Sequence, residues 1–126
     1  MKSDLDSNRP IYLQIKETIE EDILYGRLAP EEQIPSNSQL VSHYNINPVT
    51  VLKGINLLVD EGIIFKKRGL GMFVSLDAPE KLKRRFSQAF FQEQVEPLTA
   101  LAKPLGFTLR EIHEMIDSAW KGEKND

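Results

Sequence analysis

Two helix starts lie eleven positions apart in the middle of this chain, at Ser36 and Asn47, and they constrain the fold more than any other feature. Ser36-Asn37-Ser38-Gln39 is a capping box. Its serine satisfies a free backbone amide while its glutamine reaches back to the cap. Leu40, Val41 and Tyr44 give the short helix over 36–44 an inward face, and Asn45-Ile46 breaks it. Asn47 is then a good N-cap and Pro48 a good first helical residue, because the N–H that proline lacks would be unpaired there anyway. Val51, Ile55, Leu58 and Val59 form the buried stripe of this second helix, over 47–59, and Gly62 ends it.

The flanks complete a recognisable pattern. Upstream, Ile11, Tyr12, Ile15, Ile19 and Ile23 recur at helical spacing over 10–25, with Pro10 in the first turn and Gly26 as a C-terminal cap. Residues 27–33 read as a loop. Downstream, 63–67 and 72–74 read as short strands joined by the turn Arg68-Gly69-Leu70-Gly71. The expected fold is mainly α with a small β-hairpin: a winged helix-turn-helix over 9–76. A helical appendage follows over 77–126. Leu82, Phe86, Phe90 and Val95 make one apolar stripe there, on a long helix that Pro97 kinks or divides. Thr108 to Glu111 is a second capping box, followed by a stripe of Leu109, Ile112, Ile116, Ala119 and Trp120. Two such helices cannot enclose a core alone, so a second copy of the chain is the simplest partner. Leu82, Phe86, Phe90, Ile112, Ile116 and Trp120 are the expected dimerisation residues.

Charge looks discouraging for a nucleic-acid partner until it is mapped. The chain of 126 residues carries a net charge of −3, yet no carboxylate occurs between Gln33 and Val59. The segment 33–76 holds Lys53, Lys66, Lys67 and Arg68 against Asp60 and Glu61, a local excess of positive charge. A polyanion is repelled by carboxylates at its contact surface, so this local gap outweighs the total. The sequence has no cysteine, which excludes disulfides and thiolate chemistry and fits a cytoplasmic location. The polar start MKSDLDSNRP does not read as a signal peptide, and no apolar run is long enough to span a bilayer.

The candidate DNA-contacting residues are Ser36, Asn37, Asn47, Pro48, Val49, Thr50, Lys53, Lys67, Arg68 and Gly69. A recognition helix enters the major groove with its N-terminal residues near base edges. Asn47 and Thr50 can meet phosphate or a base edge, Val49 a thymine methyl group, and Lys53 guanine or backbone. Helix-start amides at 36–38 suit phosphate, and cations at a glycine-rich hairpin tip suit backbone or minor groove. Each feature also has an ordinary explanation: caps that serve only their helices, and a solvated turn that needs glycine. Lys81, Lys83, Arg84 and Arg85 read as a solvated helix face. His43 and His113 have no partner at metal-ligand spacing, and no phosphate-binding glycine motif occurs, so neither catalysis nor a metal or other cofactor is expected.

These signposts together resemble a known family. Pro10-Ile11-Tyr12-Leu13-Gln14-Ile15, Gly26-Arg27-Leu28 with Pro30, Ile34-Pro35-Ser36, Asn47-Pro48-Val49-Thr50-Val51, Glu61-Gly62 and Arg68-Gly69-Leu70-Gly71-Met72-Phe73-Val74 are similar to the N-terminal domain of GntR-family transcriptional regulators. The short helical tail resembles the YtrA-like subfamily. The resemblance implies a homodimer that binds a palindromic operator in double-stranded DNA, usually as a repressor, with contacts at Ser36, Asn47, Thr50, Lys53, Arg68 and Gly69. Four positions depart from the family pattern. Glu31 replaces the glycine after Pro30, Ser38 replaces an arginine, and Asn47-Pro48 replaces Ser-Arg. Two cations are thereby lost from the expected DNA face. An alternative function is a winged-helix module that binds another protein and no DNA. A small-molecule effector could sit at a dimer seam near Phe86, Phe90 and Trp120, although the same aromatics suit a plain dimer core.

Overall fold

The computed structural model describes residues 4–123. The chain divides into two compact units, Met1–Arg85 and Phe86–Asp126.

The first unit contains α1 (Ile11–Leu24), α2 (Asn37–Tyr44), α3 (Pro48–Asp60), β1 (Ile64–Lys67), β2 (Gly71–Val74) and most of α4 (Ala78–Phe90). Its core joins Ile15, Ile19 and Ile23 of α1 to Leu40 of α2, Val51, Ile55 and Leu58 of α3, and Val74 of β2. Pro10 occupies the cap position of α1 instead of its first turn. Here the buried Gln14 does what no cap does. Its Oε1 accepts from the Asp6 amide at 2.6 Å, and its Nε2 donates to the Arg9 carbonyl at 3.0 Å and to that of Asp6. The side-chain amide thus fastens residues 6–9 to α1.

The helices α1 and α3 cross closely. An ideal Cβ on Gly54 would stand 2.6 Å from the Tyr12 carbonyl oxygen, inside any real contact distance. Only glycine at this turn of α3 lets the two backbones meet, which seats Val51, Ile55 and Leu58 on the isoleucines of α1. Both expected helix starts are present. Ser36 and Gln39 exchange both capping-box bonds, and Asn47 accepts from the Val49 amide with Pro48 in the first turn. Asn45 closes α2 in the left-handed conformation, at φ 54°. Next to it, burial raises the pKa of the Tyr44 phenol, and a hydrogen bond with Thr18 partly opposes this.

The hairpin pairs β1 and β2 antiparallel, with Phe65 opposite Phe73 and Lys66 opposite Met72. Its bounds differ by one residue from those expected. Ile63 is a core residue whose amide bonds the Leu58 carbonyl at 3.0 Å, closing α3 instead of opening the strand. Residues 31–34, all but the last expected as loop, form a further edge on β2. The Glu31 amide bonds the Val74 carbonyl at 2.8 Å, the Val74 amide bonds the Glu32 carbonyl at 2.9 Å, and the Ile34 amide bonds the Met72 carbonyl at 2.9 Å. Glu31 enters this edge at φ 67°, a left-handed conformation that suits glycine. Glu31 thus holds a conformation that a glycine would adopt without strain.

The first unit extends past residue 76, where the sequence reading ended it. Ala78 and Leu82 belong to its core, so Leu82, at 0% exposure, is not available to a second chain. A buried carboxylate accounts for the extension to Arg85. Glu20 of α1 pairs with Lys16 at 3.0 Å and with Arg85 of α4, while Glu61 meets Lys16 at 3.1 Å and Arg85 at 3.7 Å. Among the described residues no buried side-chain polar atom lacks a hydrogen-bond partner.

In the second unit the helix passes through a π turn, Phe91–Val95, into α5 (Glu96–Ala102). The Glu96 amide bonds the Phe91 carbonyl, five residues back. This widened turn accommodates Pro97, which has no N–H to give and would crowd a regular ladder. After Gly106, α6 (Leu109–Trp120) begins at the expected Thr108–Glu111 capping box. Within this unit only Ala102 and Ile112 are buried among the described residues. Ile112 is thus already covered, whereas Phe90, Phe91, Leu98, Leu101, Ile116 and Trp120 remain exposed.

Two substitutions should shift stability in opposite directions. Gly54→Ala forces apart α1 and α3 and should cost about 1–3 kcal/mol. Glu31→Gly relieves the left-handed backbone and should stabilise by about 1 kcal/mol. Urea unfolding of each variant measures both.

Candidate nucleic-acid interface

Three elements of the first unit line one groove of about 350 Å³. The start of α2 contributes Ser36, Asn37 and Ser38, α3 contributes Leu52, Ile55 and Asn56, and the hairpin contributes Lys66, Leu70, Gly71 and Met72. Gln33 and Ile34 complete the lining, in which Lys66 is the one charged residue. The carboxylate-free stretch of the sequence thus becomes a carboxylate-free surface.

The caps leave donors to spare. Ser36 Oγ accepts from the Gln39 amide at 3.1 Å, which leaves its O–H able to donate. Asn47 Oδ1 accepts from the Val49 amide at 2.8 Å, which leaves the Asn47 NH₂ group for a phosphate. Asn37, Pro48 and Val49 are exposed at the two helix starts, and Thr50 is half-buried. The ammonium of Lys53 lies 4.0 Å from the Tyr12 ring centroid. It is drawn toward α1 as a cation–π partner.

The hairpin tip is held by a strap. Gln33 Nε2 donates to the Leu70 carbonyl at 2.7 Å, and a Cβ on Gly71 would stand 2.5 Å from that nitrogen. Gly71 leaves room for the strap, while Gly69, at φ 78°, makes the turn that exposes Arg68. Successive strand residues face opposite ways, so the two lysines part company. Lys66 lines the groove. Lys67 stands on the other face, its ammonium 4.5 Å from the Phe73 ring centroid and 5.7 Å from that of Phe65. The expected contact residues include Lys67 but not Lys66, Leu52 or Asn56, which line the groove. Alternation along β1 and the register of Val49, Leu52 and Asn56 on α3 were the signals that could have found them.

Among the described residues, Lys66, Lys67 and Arg68 enter no ion pair, whereas Lys81 pairs with Asp77 at 3.3 Å and Arg85 with the carboxylates near α1. The four-cation run at 81–85 is therefore split. Two of its members work inside the first unit, and Lys83 and Arg84 are exposed. His43 packs edge-on against Tyr44, with ring centroids 4.7 Å apart. No cluster of three metal-binding side chains occurs among the described residues.

The family model for bacterial regulatory proteins of the gntR family matches residues 11–74. The chain belongs to the GntR family. Over 124 residues it is 34% identical to the HTH-type transcriptional repressor YtrA of Bacillus subtilis, covering 95% of each chain. Several other curated relatives match over 66–78 residues only, and the chain spans 27–31% of their length. Among solved structures, a GntR-family regulator from Listeria monocytogenes superposes with a TM-score of 0.72 at 23% identity, covering 90% of this chain and 98% of that one. That likeness speaks for the fold, tail included. The AraR DNA-binding domain, solved in complex with an operator, matches at 31% identity with a TM-score of 0.52, covering 60% of this chain and 94% of that one. For this GntR-family chain, the winged helix and the subfamily suggested by its short tail are both supported. Among the described residues no helix is long and apolar enough to cross a membrane.

Proposed function

We propose that the chain is a homodimeric transcriptional repressor that binds a palindromic operator, acts in the cytoplasm and carries out no catalysis. The carboxylate-free groove shared by α2, α3 and the hairpin carries this reading, with Lys66 inside it and Arg68 exposed in the hairpin turn. A duplex lying there would meet the helix-start amides of α2 and the outward face of α3. The flanking hairpin would take backbone or minor groove. The operator complex of AraR and the repressor function named for YtrA support the same assignment.

The second unit supports the dimer. Its exposed apolar side chains are too many for a solvated surface, and one isologous contact would cover them. Phe86, Phe90, Ile116 and Trp120 remain the candidate dimer residues, and the buried Leu82 and Ile112 leave the set. Two recognition helices would then read half-sites roughly 10 bp apart, or a multiple of that.

Changing Lys66 and Arg68 together to Ala should weaken binding to all duplexes and reduce the salt slope by roughly 3 to 4 for the dimer. Fluorescence anisotropy against a salt series measures this. If the wild-type chain bound no duplex while capturing a protein partner, the interaction-module alternative would stand instead. The chain has one tryptophan, and Trp120 is 89% exposed in the single chain. Its emission should shift to the blue as protein concentration rises through the dimer constant, and Ile116→Asp should abolish the shift.

A further inference from the structure

The outward face of α3 carries apolar side chains where a cation or amide would serve polar readout. Val49 is 72% exposed and Leu52 is 44% exposed, although both are branched and apolar. With Asn56 they recur three and then four residues apart, so they form one stripe along the helix. The one α3 cation, Lys53, is exposed beside that stripe. Lys53 is drawn over Tyr12, and Thr50 is half-buried. Lys66, the charged group of the groove, belongs to the hairpin.

An exposed branched side chain costs a soluble protein apolar surface in water and gains nothing from phosphate. In the major groove it has one apolar counterpart, the C5-methyl group of thymine. Guanine offers only acceptors there, and the one cation of α3, Lys53, has its ammonium over the Tyr12 ring. We propose that α3 reads thymine methyl groups through Val49 and Leu52, so that each operator half-site carries A·T pairs where this helix enters. This inference rests on the DNA-binding reading above and adds its base preference.

The test begins with selection of bound sequences from a random duplex pool, using the full chain. Thymines of the enriched half-site are then replaced singly by deoxyuridine, which keeps every hydrogen-bonding group and removes the methyl. Two positions per half-site should each lose about fourfold in affinity. Leu52→Ala should erase the penalty at one of them and Val49→Ala at the other. Thermal melting should stay unchanged, since both side chains lie at the surface. The proposal is overturned if uracil is tolerated everywhere in the α3 footprint. It is equally overturned if the penalties persist in both variants, or if N7-methylation of a guanine under α3 blocks binding. A pool that enriches no sequence at all would sink the DNA-binding reading itself, and this inference with it.

Discussion

The close crossing of α1 and α3 at Gly54 is the contact on which the rest depends. Where the Tyr12 carbonyl touches α3, even a methyl group would not fit. That approach seats the isoleucines of α1 against Val51, Ile55 and Leu58, and it fixes which side of α3 faces outward. The outward side is then Val49, Leu52 and Asn56, beside the hairpin and the start of α2. A glycine in mid-helix normally weakens a helix by roughly 1 kcal/mol. Here the close approach it allows seats α3 on α1, and that packing offsets the cost.

Electrostatics is arranged by location, not by amount. The chain is acidic overall, but its negative charge collects on α1, at the end of α3 and in the tail. Glu20 is buried and still charged-paired, held by Lys16 and Arg85. Such a pair is weak evidence for net stability, since desolvation offsets much of the attraction. What it does supply is a definite seat for the first turns of α4. The cations that would face a polyanion, Lys66 and Arg68, stay out of every ion pair among the described residues.

Much of this was legible in the sequence because it is local. Capping boxes at Ser36 and Thr108, the Asn47-Pro48 start and the glycine-rich hairpin turn each depend on a few adjacent residues. Features that join distant segments were not legible. Gln14 looked like any helix glutamine until its amide was seen gripping residues 6–9. Glu31 looked like an ordinary departure from a glycine pattern, yet its backbone keeps the left-handed geometry and leads into an edge on β2. Leu82 continues an apolar stripe that reads as tail, but it packs into the core of the first unit, of which Phe86 and Phe90 are not part. In the candidate site, the choice between Lys66 and Lys67 turned on strand facing, a matter of one residue in register.

The π turn at Phe91–Val95 has a consequence for how the tail can vary. A widened turn holds one residue more than regular helix needs, and each residue corresponds to about 100° of rotation. Losing a single residue between 91 and 95 would wind the segment back to regular pitch with Leu98 and Leu101 still in phase with Phe90, whereas regular pitch at unchanged length would swing both by about 100°. A chain of the same length that lost the widened turn would therefore display a rotated apolar stripe after residue 95, whereas one shortened there by a residue would keep the stripe aligned.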